Sequence, residues 1–189
     1  MAFFAFQAWT GKEDKVVQLA TRRLRDLPIQ LHWPRRSLAI RRAGVVKDSL
    51  APIFPSYLFL QCEDVDAEAY WILRRIDGFI RFLPSNEKPR PLGAKDQELL
   101  CHFLSFGEIV KKSLVYYDEN NRIRVIEGPM AGLEGRIIKV DRRKRRAKLQ
   151  LDMYDDSFPI DLGFDVIEHA PKASPAAARV NADETGPEG

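Results

Sequence analysis

The first half of the chain alternates between strand-like and helix-like patterns of apolar residues. Short apolar or aromatic runs predict strands, and apolar residues that recur every three or four positions predict helices. The predicted order is strand 3–8, helix 12–27, short strands 31–33 and 38–40, strand 56–61, helix 67–76, strand 78–83 and helix 95–106. Strand 56–61 is apolar on both faces, which favours a central place in its sheet. This order predicts a ferredoxin-like split β-α-β unit with one extra helix.

Two of these helices carry signals for their first residue. Thr10 followed by Glu13 fits a capping box, in which each side chain accepts a hydrogen bond from a backbone N–H at the helix start. Asp66 is placed to cap helix 67–76, and Gly78 is placed to end it. The sequence therefore predicts side-chain caps at both starts.

The second half shows strand patterns only. They cover 109–115, 122–127, 135–140, 147–153 and 157–162, with glycine-rich and charged turns between them. Several short strands within about 60 residues predict a small SH3-like all-β barrel. The fold class is thus α+β, with a first domain over 1–107, a linker over 108–121, a barrel over 122–169 and a disordered Pro/Ala-rich tail over 170–189.

Charge changes this picture locally rather than globally. The chain has 30 Lys and Arg against 27 Asp and Glu, a net charge of +3. Six basic residues nevertheless crowd into seven positions on one predicted turn: Arg142, Arg143, Lys144, Arg145, Arg146 and Lys148. Such a run repels itself, and arginine offers planar, bidentate contacts to phosphate. The run predicts binding of nucleic acid, with an RNA hairpin or duplex backbone favoured, while a solvated hairpin tip remains the alternative.

Other chemistry finds little support in the sequence. Gly128, Gly132 and Gly135 lack the following helix and the Lys-Ser/Thr pair of a phosphate-binding loop, so they are interpreted as turn residues. Cys62 and Cys101 fall in apolar patterns that predict packed thiols, and no Cys or His stands at metal-ligand spacing. We expect no enzyme, no cofactor and no metal. No signal segment or run of about 20 apolar residues is present, so we expect a cytoplasmic monomer without membrane contact.

Two segments together resemble the NusG family of transcription factors. One is Phe54-Pro55-Ser56-Tyr57 leading into strand 58–61, typical of the amino-terminal NGN domain. The other is 127–135 (EGPMAGLEG) with the strand after it, the basic turn and the sequence FPID at 158–161, which is similar to a KOW motif. The resemblance covers about residues 2–168. An alternative is a ribosome-associated RNA-binding protein, because KOW motifs also occur in ribosomal proteins.

The resemblance implies partners and site residues. Members of the family bind RNA polymerase during elongation, and the matching positions for docking on the polymerase clamp are Phe4, Phe54 and Tyr57, with Trp9 beside them. The KOW domain would contact termination factor Rho, a ribosomal protein or RNA, and Tyr154 matches an aromatic contact position. A second basic cluster would lie toward polymerase or DNA at the upstream fork, or would be a solvated loop: Arg35, Arg36, Arg41, Arg42 and Lys47.

Three departures from the family pattern favour a specialised paralogue. Ser56 stands where the family usually has glycine, Asp155-Asp156 replaces a glycine-containing turn, and the basic turn is unusually dense. We therefore expect a factor in the manner of LoaP or RfaH that promotes processive antitermination on selected operons.

Overall fold

The computed structural model describes residues 1–42 and 45–167, and their elements follow the predicted order closely. The first part of the chain contains β1 (Ala2–Ala8), α1 (Glu13–Arg23), β2 (Gln30–His32), β3 (Arg35–Arg42), β4 (Val45–Pro52), β5 (Tyr57–Cys62), α2 (Ala67–Arg74), β6 (Phe79–Phe82), α3 (Ala94–Leu104) and β7 (Ile109–Val110). The tail predicted over 170–189 lies outside the described residues. In residues 1–42 and 45–167, none of the helices has the length and apolar character of a membrane span.

The main sheet of the first part has the order β2-β5-β1-β6, with antiparallel neighbours. The predicted central position of β5 is confirmed. Because side chains alternate across a strand, β1 serves two cores. Phe4 and Phe6 pack against the side of the sheet that carries α1 and α2, whereas Phe3 and Ala5 face the opposite side with α3. Both faces of this sheet are therefore covered.

The segment between β2 and β5 forms a long hairpin that the sequence did not predict. Strands β3 and β4 pair from Arg35↔Pro52 to Arg42↔Val45, where the prediction had only a short strand over 38–40. Basic and polar residues occupy much of both strands, so no apolar alternation was available to reveal them. Strand β7 adds to β3 in parallel, which gives a small sheet ordered β4-β3-β7.

The second part is a five-stranded unit with the order β10-β11-β12-β8-β9. Its elements are β8 (Ser113–Tyr117), β9 (Ile123–Glu127), a 3-10 turn (Glu134–Arg136), β10 (Ile137–Asp141), β11 (Arg146–Met153) and β12 (Asp156–Val166). Strand β8 lies in the stretch interpreted as linker, and it pairs with both β9 and β12. Alternate residues of β11 and β12 fill the core, including Leu149, Leu151 and Ile160. The mixed α+β class is confirmed.

The two predicted helix caps have different outcomes. Asp66 caps α2 as expected, because its Oδ1 accepts a hydrogen bond of 2.7 Å from the Ala69 amide. The capping box at Thr10 is wrong: Thr10 bonds the Ser56 hydroxyl, and α1 begins after Lys12 without a side-chain cap. Glu13 is instead buried and accepts from the amides of Gly11 and Ser56, so it joins the helix start to the turn before β5.

Candidate functional site

The aromatic residues before β5 lie where the two parts of the molecule meet. Phe54 and Tyr57 are 1% and 3% exposed. Phe158 of β12 contacts both rings, edge-on to Phe54 with ring centres 6.3 Å apart and stacked on Tyr57 at 6.4 Å. Phe54 also packs edge-on against Phe103 of α3. The barrel therefore covers the sheet face that carries Phe54 and Tyr57.

Hydrogen bonds surround this aromatic contact. The Tyr57 hydroxyl donates to the carboxylate of Asp156, and burial together with that carboxylate raises the pKa of Tyr57. The His102 ring donates from Nε2 to the Pro129 carbonyl at 2.9 Å. These bonds join the first residue of β5 to the start of β12, and α3 to the loop that holds Pro129, so the contact is specific and not only apolar.

Tyr154 lies at a second point of the same contact. Its backbone is left-handed, with φ +53°, and its amide donates to Oδ2 of Asp96 at 3.3 Å. The ring packs against the shared apolar core, and burial raises the pKa of Tyr154 to about 12. The pKa of Asp96 is also raised, first by burial and then by the nearby carboxylates of Asp155 and Asp152. The position expected to bind a partner is thus occupied by the first domain.

Phe4 and Trp9 are not brought together with Phe54 and Tyr57. Phe4 stands opposite Leu60 in the sheet and is buried on the side of α1 and α2. Trp9 lies beyond the end of β1 and is 50% exposed, with the Lys12 ammonium 4.2 Å from the centre of its ring. Only Phe54 and Tyr57, of the four residues expected to bind polymerase, share one face of the first domain.

The basic turn between β10 and β11 contains a tied set of cations, Arg142 and Arg145, whose side chains are held by other residues of the barrel. Its other cations are exposed or border a cavity. The Arg142 guanidinium stacks on the Tyr117 ring at 4.3 Å and donates to the Asn121 carbonyl. Arg145, with φ +51°, reaches Asp165 at 3.7 Å. Arg143 is exposed. The remaining basic residues of the run border a cavity of about 170 Å³, whose lining is Lys139, Asp141, Lys144, Arg146, Lys148 and Asp161.

The cluster on β3 is largely engaged by the protein itself. Arg35 stacks on Trp33 at 4.8 Å and lies 4.0 Å from Glu108. Arg36 donates to the Pro52 carbonyl, and burial lowers its pKa to about 10, which Asp161 opposes. Lys47 is exposed. Arg41 and Arg42 belong to β3, but their side chains lie outside the described part of the structure.

Several residues at the domain contact were not predicted from sequence. Phe158 alternates in register with Ile160 and Leu162, so its pattern indicates barrel core and gives no sign of a contact with another domain. Asp96 and His102 resemble ordinary polar positions on a helix. Cys101 is exposed, so its predicted packing is wrong, whereas Cys62 is buried and burial raises its pKa to about 11. Within the described residues, no cluster of three potential metal ligands occurs.

Comparison with known proteins agrees with this architecture. A family model described as transcription termination factor nusG matches residues 1–100. The transcription termination/antitermination protein NusG of Buchnera aphidicola is 24% identical over 172 residues, which is 88% of this chain and 94% of that protein. NusG of Streptococcus pyogenes serotype M1 is 25% identical over 160 residues, covering 80% and 87% of the two chains.

A solved structure described as "Domain interaction in Thermotoga maritima NusG" has the same fold. It matches with a TM-score of 0.54 at 18% identity, and the match covers 86% of this chain and 93% of that one. The resemblance found in the sequence, with an NGN domain followed by a KOW barrel, is confirmed. Because the family model spans more than half of the chain, the protein belongs to the NusG family, a family of transcription termination and antitermination factors rather than of enzymes.

Proposed function

We propose that the protein binds RNA polymerase through the face of its NGN domain that carries Phe54 and Tyr57, and that it promotes processive antitermination. The observation that supports this most is the position of these two rings. They are buried between domains and not inside one, in contact with Phe158. An apolar face that a second domain covers becomes an exposed interaction surface when the domains separate.

Docking on this face requires the KOW barrel to leave it. The free protein therefore has a closed state, held by the aromatic contact and by the bond from Tyr57 to Asp156, and an open state that binds polymerase. Every contribution to closure lowers the apparent affinity, because only the open fraction is competent to bind. Substitutions on the two sides of the contact between the domains should then have opposite effects on the affinity for polymerase.

A titration of the full-length protein on bacterial core RNA polymerase tests this proposal. Phe158→Ala removes the barrel's side of the contact and should raise the affinity, because the docking face stays intact. Tyr57→Ala opens the same contact but removes a docking ring, so it should weaken binding, by roughly tenfold or more for a buried aromatic anchor. Trp71→Ala, at an exposed aromatic residue of α2, is the matched control and should have no effect. Equal losses for Phe158→Ala and Tyr57→Ala would contradict the proposal.

The direction of the effect on transcription needs its own measurement. In a reconstituted elongation assay across a terminator, added protein should increase the fraction of full-length transcript, and Tyr57→Ala should not. Unchanged or increased termination would contradict the antitermination part of the proposal while leaving polymerase binding intact.

Opening would also free the barrel for a second partner. Tyr154 is held against Asp96 in the closed state, and separation would expose it to Rho, to a ribosomal protein or to RNA. The family match lies over residues 1–100, outside the barrel, which favours a polymerase-bound factor over a ribosome-associated RNA-binding protein. We propose a specialised paralogue, in which the barrel selects the signal.

A further inference from the structure

We propose that the cavity bordered by β10, β11 and β12 is a binding site for the phosphate groups of a nucleic-acid backbone. This inference rests on the proposed function, since a factor that selects a signal on a transcript or its template needs such a site. It differs from the prediction from sequence in two ways. It adds Lys139 on β10, which lies outside the basic run, and it leaves out Arg142, Arg143 and Arg145.

The lining of the cavity matches an anion in charge. Four cations and two carboxylates border it, which leaves a surplus of two positive charges: Lys139, Lys144, Arg146 and Lys148 against Asp141 and Asp161. Each carboxylate stands beside one of these cations. Asp141 lies 3.9 Å from the Lys144 ammonium, and Asp161 stands opposite Lys148 in the sheet. No aromatic or aliphatic side chain lines the cavity, so it lacks the apolar anchor of a protein-binding hot spot.

The size of the cavity limits the ligand. A volume of about 170 Å³ is several times the roughly 30 Å³ that one water molecule occupies in the liquid. It is below the roughly 300–1,000 Å³ typical of pockets for drug-sized molecules. A phosphate group that enters from a backbone running over the surface fits these limits.

Cross-strand pairing places two of the cations against each other. Lys139 of β10 is directly opposite Lys148 of β11, next to an irregularity of register between Ile137 and Lys139. Like charges in directly opposed positions destabilise a sheet. Among the described residues, neither lysine forms an ion pair within 4.0 Å. A phosphate between the two ammonium groups would relieve this repulsion.

Two other arginines of the turn, Arg142 and Arg145, have partners elsewhere. Arg142 is held by the Tyr117 ring and the Asn121 carbonyl, on the side of β8 and β9. Arg145 shares Asp165 with Lys112, whose ammonium lies 3.0 Å from Oδ1. The run of cations is therefore divided in space. Lys144, Arg146 and Lys148 border the cavity, Arg142 and Arg145 are held elsewhere, and Arg143 is exposed.

Arg146 belongs to the cavity and to the domain contact. Its guanidinium donates to the Ala39 carbonyl of β3, and it lies near enough to Arg36 to lower the pKa of that residue. Substitution of Arg146 would disturb closure as well as phosphate binding. Among the side chains that the structure describes, no hydrogen bond or ion pair joins Lys139 or Lys148 to the first domain, so these two lysines are the better test of the cavity.

Two double variants of the full-length protein, each of which loses two positive charges, compare the cations of the cavity with the tied set. K139Q/K148Q removes two cations from the cavity, and R142Q/R145Q removes two from the tied set. Each is titrated against a labelled RNA stem-loop and a DNA duplex of the same sequence over a range of NaCl concentrations, with inorganic phosphate as competitor. Thermal melting verifies that each variant is folded.

We expect K139Q/K148Q to weaken nucleic-acid binding on the order of tenfold at low salt and to reduce the slope of log K against log [NaCl] by about two, one for each lost contact. R142Q/R145Q should leave the slope nearly unchanged. The difference in affinity between the RNA stem-loop and the DNA duplex shows which nucleic acid supplies the phosphate groups. Equal losses of nucleic-acid affinity in both variants, no binding by the unaltered protein, or binding of inorganic phosphate alone would each overturn the proposal.

Polymerase affinity, measured on the same samples, should be the same for K139Q/K148Q and the unaltered protein. Loss of polymerase binding in every sample would overturn the proposed function and not the phosphate site.

Discussion

Gly128 allows a turn of the barrel to pack closely against strand β8. Its φ is +99°, and a Cβ atom there would lie 2.7 Å from the Ser113 Cα. Ser113 is buried, and its hydroxyl accepts a hydrogen bond of 2.9 Å from the Met130 amide. Gly128 therefore allows the turn to approach β8 closely enough to place Met130 in the core. The sequence predicted a turn residue here but not the close backbone approach, because the latter depends on where β8 lies.

Gly128→Ala should accordingly lower the free energy of unfolding by about 2–3 kcal/mol, because it adds a backbone clash to an unfavourable φ. Gly135→Ala is the matched control, since Gly135 has open space around it and no positive φ. Chemical denaturation monitored by circular dichroism measures both. A loss at Gly128 no larger than at Gly135 would show that the turn can move away from Ser113.

At the scale of elements, local sequence was informative wherever the signal and its partner lie in one segment. The Asp66 cap needs only the next three residues, and the apolar run 3–8 was sufficient to identify strand β1. It failed where the partner is distant in sequence. Glu13 has the residue type and position of a capping box, but besides the nearby Gly11 amide it accepts a hydrogen bond from the amide of Ser56, 43 residues away. The β3–β4 hairpin was missed because pairing between its strands, and not an apolar face, defines it.

The two caps give a direct comparison. Asp66→Ala should destabilise the protein by about 1 kcal/mol, because it leaves an amide of the first turn of α2 without its side-chain acceptor. Thr10→Ala should change the free energy of unfolding by less than about 0.5 kcal/mol, because it removes only an exposed bond to the Ser56 hydroxyl. Denaturant titration of both variants measures the difference. A Thr10→Ala loss equal to that of Asp66→Ala would reinstate the capping box.

The contact of α3 with the barrel should depend on pH through Asp96. Burial and the carboxylates of Asp155 and Asp152 raise the pKa of Asp96 in the closed state, so this state binds the proton more tightly than the open one. The closed state should therefore become more favoured as the pH falls from the raised pKa of Asp96 toward about 3.9, the ordinary pKa expected in the open state. Below that pH, Asp96 is protonated in both states and should have no further effect.

Asp96→Asn keeps an oxygen that can accept from the Tyr154 amide and removes the charge. At neutral pH this variant should be more closed than the unaltered protein, and the two should converge in acid. Limited proteolysis between β7 and β8, where the chain passes from the first domain to the barrel, measures the difference across this pH range. A variant that is more open at neutral pH would show that the ionised carboxylate stabilises the contact.

At the scale of the whole molecule, the fold class and the two domains were predictable, but their contact was not. Local patterns identify each core separately, and Phe158, Leu151 and Phe54 all look like residues of their own domains. Only the assembled structure shows that one apolar cluster runs from the NGN sheet through α3 into the barrel. The same assembly divides the basic run into two sets, since the partners of Arg142 and Arg145 come from β8, the following loop and β12.

Separation of the two domains on polymerase can be observed by fluorescence energy transfer between two dyes on one molecule. Cys101 of α3 is exposed and can carry one dye, Ile138→Cys at an exposed position of β10 can carry the other, and Cys62 is buried and protected. We expect high transfer in the free protein and a marked fall when saturating core RNA polymerase is added. Polymerase that binds while the transfer efficiency stays unchanged would contradict this expectation.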